Sequence, residues 1–174
     1  WTNSGIYMNP YWTMNRTFAN ERRNRVIALG SAKYELTDWL NLQGRISYDW
    51  YNDQHQYGFA NKTLLFAGNG GSYQEYNMQN LERNLDLILS GNNKISEDVS
   101  ITYNAGAGQT YQRFEQVGAS TNGLSVPNWF ALSFASAMSQ ISGYSQKELQ
   151  YVFGTASVSF RDYLTLDASI RNDW

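Results

Sequence analysis

Residues 40–50 alternate without interruption. Leu40, Leu42, Ile46, Tyr48 and Trp50 fall on one face, and Asn41, Gln43, Arg45, Ser47 and Asp49 on the other. A period of two with one apolar and one polar face is the pattern of a β-strand between two different surroundings. The run lasts for roughly ten residues, against the ~5–6 of an ordinary globular strand. It ends at aromatic side chains. An apolar face of that length, bounded by Trp and Tyr, is what the wall of a membrane β-barrel requires.

The pattern recurs along the chain. Residues 24–36 place Val26, Ala28, Gly30, Ala32 and Tyr34 on one face, although Ile27 and Leu29 blur the alternation. After a turn at Thr37-Asp38, a second strand spans residues 39–52. A third, over 81–90, aligns Leu85, Leu87 and Leu89, and Gly91-Asn92-Asn93-Lys94 reads as the turn that follows. The fourth, over 98–113, sets Val99, Ile101, Tyr103, Ala105 and Ala107 against Ser100, Thr102, Asn104, Gly106 and Gly108. The fifth covers 149–160. The turn Arg161-Asp162 leads to a sixth, which presents Leu164, Leu166, Ala168 and Ile170. Residues 1–20 show no period and read as loop, as do the polar stretches 53–80 and 114–145.

Connections thus alternate between short and long. This is the meander of an outer-membrane barrel, with short turns on the periplasmic side and long loops outside. Trp39, Tyr163 and Tyr34 stand beside the short turns, and Trp50, Tyr51 and Tyr111 at the opposite strand ends, the places of two aromatic girdles. The expected fold is therefore all-β: an antiparallel up-and-down transmembrane β-barrel, of which this chain supplies about six strands. Open sheet edges are not tolerated in lipid, and the smallest such barrels have about eight strands. The chain also starts at Trp1 and stops at Trp174 inside a strand pattern, so it is expected to be a fragment of a longer polypeptide.

A mean hydropathy of −0.54 suggests a soluble protein. That average is blind to barrels, because each inward polar residue cancels an outward apolar one. With 13 Tyr and 6 Trp, the competing reading is a soluble Tyr/Trp-rich β-sheet carbohydrate-binding module. A net charge of −2 gives no basic field for nucleic acid. The absence of Cys removes disulfides, thiolate metal sites and thiol nucleophiles.

The segments Asn9-Pro10-Tyr11-Trp12, Glu21-Arg22-Arg23-Asn24-Arg25, Tyr34-Glu35-Leu36-Thr37-Asp38-Trp39-Leu40 and Gly44-Arg45-Ile46-Ser47-Tyr48-Asp49 follow one another along the chain. They are similar to the barrel of SusC/RagA-family TonB-dependent transporters of Bacteroidetes. The most specific is Phe153-Gly154-Thr155-Ala156-Ser157-Val158-Ser159-Phe160-Arg161-Asp162-Tyr163-Leu164, followed by Arg171-Asn172-Asp173-Trp174. Gly123-Leu124-Ser125-Val126-Pro127-Asn128-Trp129 resembles the loop before it. The resemblance runs nearly the length of the chain and names no cargo. It implies a 22-stranded barrel, of which residues 1–174 are part, with the plug domain and TonB box outside this chain. It further implies import of glycans or peptides across the outer membrane of the bacterial cell, driven by the TonB complex, with a SusD-like surface lipoprotein as partner and outer-membrane lipid around the wall.

No catalytic set stands out, and no enzyme, cofactor or metal is expected. The sole histidine, His55, lies near Asp49 and Asp53 but lacks a Gly-x-Ser-x-Gly turn, and reads as a solvated loop residue. Asp49, Asn52 and Asp53 carry oxygens of the kind calcium takes, without the spacing of a calcium loop. Gly68-Asn69-Gly70-Gly71 and Gly106-Ala107-Gly108 lack the Lys of a phosphate loop. Inside a strand, Gly106 and Gly108 point instead to bending or to close approach from the lumen. Asn15-Arg16-Thr17 and Asn61-Lys62-Thr63 are chance matches to the glycosylation triplet. Arg45, Asp49, Arg83, Asp86, Asp167 and Arg171 are expected to face the lumen, either pairing across strands or lining a path. Tyr73, Tyr76, Trp129 and Phe130 are expected in outer loops, where aromatic faces contact cargo or a partner protein, or else pack the loop on itself.

Overall fold

The computed structural model describes residues 8–161 and 163–174. Six strands form one antiparallel sheet in the order β1-β2-β3-β4-β5-β6, a plain meander. They are β1 (Thr17–Thr37), β2 (Leu40–Ala60), β3 (Gly71–Lys94), β4 (Val99–Thr121), β5 (Met138–Phe160) and β6 (Leu164–Asp173). In the β5–β6 ladder Tyr151 lies opposite Asp173, Ser157 opposite Asp167 and Phe160 opposite Leu164. The six strands follow the sequence pattern, but the long connections do not. Most of 53–80 and 114–145, expected as loop, is strand: only residues 61–70 and 122–137 separate β2 from β3 and β4 from β5. A strand of 23 residues such as β4 extends roughly 75 Å at ~3.3 Å per residue, well over twice an apolar band of ~25 Å. Ladder hydrogen bonds form wherever two backbones run side by side. They do not need the alternation that betrays a strand in lipid.

Three smaller corrections have local causes. Residues within 1–20 form α1 (Pro10–Arg16): the Asn9 side chain accepts from the Tyr11 amide at 3.0 Å and Pro10 opens the first turn, which suits a ring that needs no hydrogen bond there. The first turn sits at Asp38 and Trp39. Gly91–Lys94 continues β3, and the chain turns at residues 95–98, where the Ile95 and Ser96 amides donate to the Val99 carbonyl at 2.9 and 3.2 Å. Gly91 is retained in the strand because the Tyr103 ring covers the space a Cβ would fill. At the last turn the Arg161 amide and guanidinium both reach Asp98, at 2.8 and 3.0 Å; Asp162 lies outside the described residues.

The chain forms two compact units. One contains residues up to Arg25, Tyr51–Asn80 and Phe114–Ser145; the other contains Val26–Trp50, Leu81–Arg113 and Gln146–Trp174. Each long strand contributes to both. Neither has a conventional core among its described residues. Among the described residues the buried apolar side chains are Ala60, Tyr73 and Leu124, all in the first unit, whereas Leu87, Leu164, Leu166 and Ile170 of the second are exposed.

In the first unit the connections 61–70 and 122–137 dock backbone to backbone. Leu124 N–H donates to the Asn69 carbonyl, Asn128 N–H to the Gly70 carbonyl, both at 2.8 Å, and Asn61 N–H to Asn128 Oδ1 at 2.7 Å. This is what the Gly68–Gly71 run is for. Gly70 has φ +83°, and a Cβ there would lie 2.1 Å from the Leu124 carbonyl oxygen. Gly70→Ala is therefore expected to cost about 2–4 kcal/mol through positive-φ strain and overpacking and to release the loop that carries Trp129. Protease nicking within 122–137 reads this out; an uncleaved loop of unchanged stability would refute it.

Candidate functional site

The polar face of the second unit is a connected network. In β2 and β3 the residues sharing a face with Arg45 and Asp86 alternate, so Ser47 and Asn84 belong to it too. Asn84 donates to Ser47 Oγ at 3.2 Å and accepts from Thr110 at 2.7 Å. Arg45 pairs with Asp86 at 2.9 Å. The Tyr151 hydroxyl donates to the same carboxylate. Arg171 lies over the Tyr151 ring at 4.2 Å and pairs with Asp173 at 2.7 Å. Three of the expected charged residues, Arg45, Asp86 and Arg171, thus meet around one tyrosine. Asp49 and Asp167 sit further along the same face.

Arg83 does not belong to it. Three residues from Asp86 on a strand means the opposite face, and Arg83 stacks over Tyr111 at 5.3 Å. The expectation that Arg83 and Asp86 share a face misread the period. The space over Gly106 and Gly108 is also taken within the sheet, by the rings of Phe153 and Tyr151. Aromatic covering of strand glycines is a known stabilising arrangement, and it replaces the expected approach of another element there.

The first unit holds an aromatic and charged cluster. Arg23 grips Asp53 with two hydrogen bonds of 2.6 Å, and its guanidinium stacks on Tyr51 at 4.7 Å. Asp53 is 3% exposed. The bidentate guanidinium holds its carboxyl below the usual carboxylate range. Two residues on, His55 stacks against Tyr76 at 4.7 Å and Tyr57 at 6.1 Å. Tyr57 donates to Glu21 at 2.7 Å, and His55 Nδ1 lies 3.2 Å from that hydroxyl and 3.3 Å from the Glu21 carboxylate. The hydrogen bond from Tyr57 lowers the Glu21 pKa. Acceptance by Glu21 raises that of Tyr57, keeping it a neutral donor. His55 is buried, with Nε2 making no hydrogen bond among the described residues. The reading of His55 as a solvated loop residue is therefore corrected: residues 53–60 are strand, and period two carries Asp53, His55 and Tyr57 to one face.

Tyr73 and Tyr76 lie in β3, not in a loop. Tyr73 is buried: its amide donates to Thr121 Oγ1 at 2.8 Å, its hydroxyl donates to Glu75 at 2.7 Å, and burial pushes its pKa up to about 12. Phe130 packs edge-on against Phe18 at 5.2 Å. Trp129 is on the loop as expected, touches Phe134 at 5.2 Å and remains 61% exposed. Sequence reasoning missed Glu21, Arg23 and Tyr57 as site residues and weighed Asp53 only beside His55 and as an oxygen for calcium. The alternation Glu21, Arg23, Arg25 against Tyr51, Asp53, His55, Tyr57 was the available signal, hidden because its other face is not apolar.

No family model and no curated protein matches the chain by sequence. Solved structures do match it. A structure of the RagAB peptide transporter aligns with a TM-score of 0.78 at 17% identity, over 94% of this chain and 19% of that one. Structures of the RagAB peptide importer in its 'closed-closed' and 'open-open' states align with TM-scores of 0.82 and 0.78, again at 17% identity and over 94% of this chain. The chain spans about a fifth of the length of those it matches. Its fold is that of a β-barrel segment of the RagAB transporters, and in this its structure and the SusC/RagA resemblance of its sequence agree.

Proposed function

We propose that the chain is a stretch of the wall of an outer-membrane, TonB-dependent importer that carries oligopeptides or oligosaccharides into the periplasm, and that it catalyses no reaction. The observation that carries this reading is the two-faced second unit: a polar, hydrogen-bonded network on one side and exposed Leu, Ile and Val on the other. A soluble sheet of this size buries one face; here both faces are open. The neighbours in structure support it, being named as peptide transporters. In this reading the SusD-like lipoprotein meets the exposed Trp129 beside Phe130, cargo passes Tyr76 and the Glu21–Tyr57 pair, and the TonB complex acts through parts outside this chain. Tyr73, being buried, supports these groups from behind.

The test is uptake by cells of labelled oligopeptides and oligosaccharides, with and without a protonophore, together with copurification of a lipoprotein from detergent extracts. One cargo class is expected to enter in an energy-dependent way. Trp129→Ala is expected to weaken lipoprotein retention by tens of fold, the scale of losing an aromatic hot spot. A protein that needs no detergent and stays monomeric would leave the carbohydrate-binding module as the better account.

A further inference from the structure

The apolar face of the second unit is not flat. Small residues leave a groove of about 930 Å³ across it, with Gly44 and Ala107 in its floor and Leu87 and Val152 beside them. This is at the upper end of the ~300–1,000 Å³ typical of ligand sites. Its lining becomes polar at Gln109 and Gln150. Both amides donate to the Glu148 carboxylate, Gln150 at 3.0 Å. The charge of Arg83 acts on that carboxylate from a distance. Tyr111 lies under the Arg83 guanidinium, and Arg83 shares a strand face with Leu85 and Leu87 of the groove. A cation stacked on a tyrosine where an apolar groove turns polar matches a phosphate joined to hydrocarbon: the planar fork takes phosphate oxygens, and the aromatic suits the membrane–water boundary.

We infer that this groove is a binding site for a phosphate-bearing membrane lipid, one acyl chain lying over Gly44 and Ala107 and the phosphate held by Arg83. The Gln109 and Gln150 amide oxygens, whose NH₂ groups are occupied by Glu148, face the headgroup as acceptors for its hydroxyls. The inference rests on the membrane reading above, because only a lipid-facing surface meets such a ligand.

Gly44 supplies a clean probe, since a Cβ built there meets nothing within 4 Å. Gly44→Phe puts a ring into the groove from a position where a Cβ meets nothing, and Arg83→Gln removes the cation. The intact protein is purified from outer membranes in a mild detergent, and bound lipids are identified by native mass spectrometry. Membrane fractionation and heat-modifiable gel mobility report insertion and barrel folding independently. Wild type is expected to retain a phosphorylated lipid; Arg83→Gln lowers its occupancy about tenfold, the loss of one charge-assisted contact, and Gly44→Phe removes it, both variants remaining inserted. An inserted wild type that carries only uncharged lipid or detergent overturns the inference, as does equal retention by the variants. A wild type that never enters the membrane fraction overturns the membrane reading itself, and the groove's ligand with it.

Discussion

Arginine in place of Leu42 and Leu87 together is expected to remove the protein from the outer-membrane fraction. Each substitution puts a guanidinium on the apolar face. In a barrel, that costs about 2–4 kcal/mol near the bilayer midplane, and two together approach the whole stability margin of a folded domain. The structure sharpens the test because Leu87 is 54% exposed within the chain. It makes too little protein contact for lost packing to explain a large loss, and in water such an exposed change lies within about ±0.5 kcal/mol. Gln43→Arg is the control. Gln43 alternates with Leu42 and shares the Arg45 face, where a charge has polar neighbours, so that variant should insert as wild type does. The readout is heat-modifiable mobility in membrane extracts. Normal insertion of the double variant would show that the face meets something other than lipid, and the transporter reading would fall.

Arg23→Ala is expected to destabilise the first unit at least twice as much as Asp53→Asn, although both break the same ion pair. The two partners differ in access to water: the Arg23 side chain is 58% exposed and that of Asp53 5%. Losing the carboxylate charge frees an arginine that water can solvate, at a cost of about 1 kcal/mol for the hydrogen bonds. Losing the arginine strands a buried carboxylate, the more expensive half of such a pair to leave alone. The sign with pH follows. Arg23 holds the Asp53 carboxyl below its ordinary range, so the pair's stabilisation is complete above that range and lost as pH falls through the lowered value. In Arg23→Ala that acid-induced loss disappears, because the stranded carboxylate gains from taking up a proton. Denaturant unfolding in detergent at neutral and acidic pH separates the two variants. Equal losses, or an Arg23→Ala protein with the wild-type acid slope, would mean that Asp53 finds another partner.

Much of the fold was legible in the residues themselves. Leu40 to Trp50, Leu85 to Leu89 and Leu164 to Ile170 reveal their strands because one face must be apolar and the other polar, and that demand fixes every second residue. The meander and the placing of Arg45, Asp86 and Arg171 on one polar face follow from the same rule. What the sequence could not set was where the strands stop. Beyond the apolar band both faces of β2, β3, β4 and β5 meet polar or aromatic neighbours, so nothing selects a period, yet the backbones remain hydrogen-bonded for ten residues more. His55, Tyr57 and Tyr76 therefore read as loop residues and stand in strands, stacked by registers that depend on partners some twenty residues away. The Gly68–Gly71 run reads as slack and serves a backbone contact with Leu124. Alternation belongs to the single strand, and the sequence by itself determined it. The aromatic cluster, the docked loops and the groove over Gly44 come from side chains and backbones far apart in the chain, and only the tertiary structure decided which of them meet.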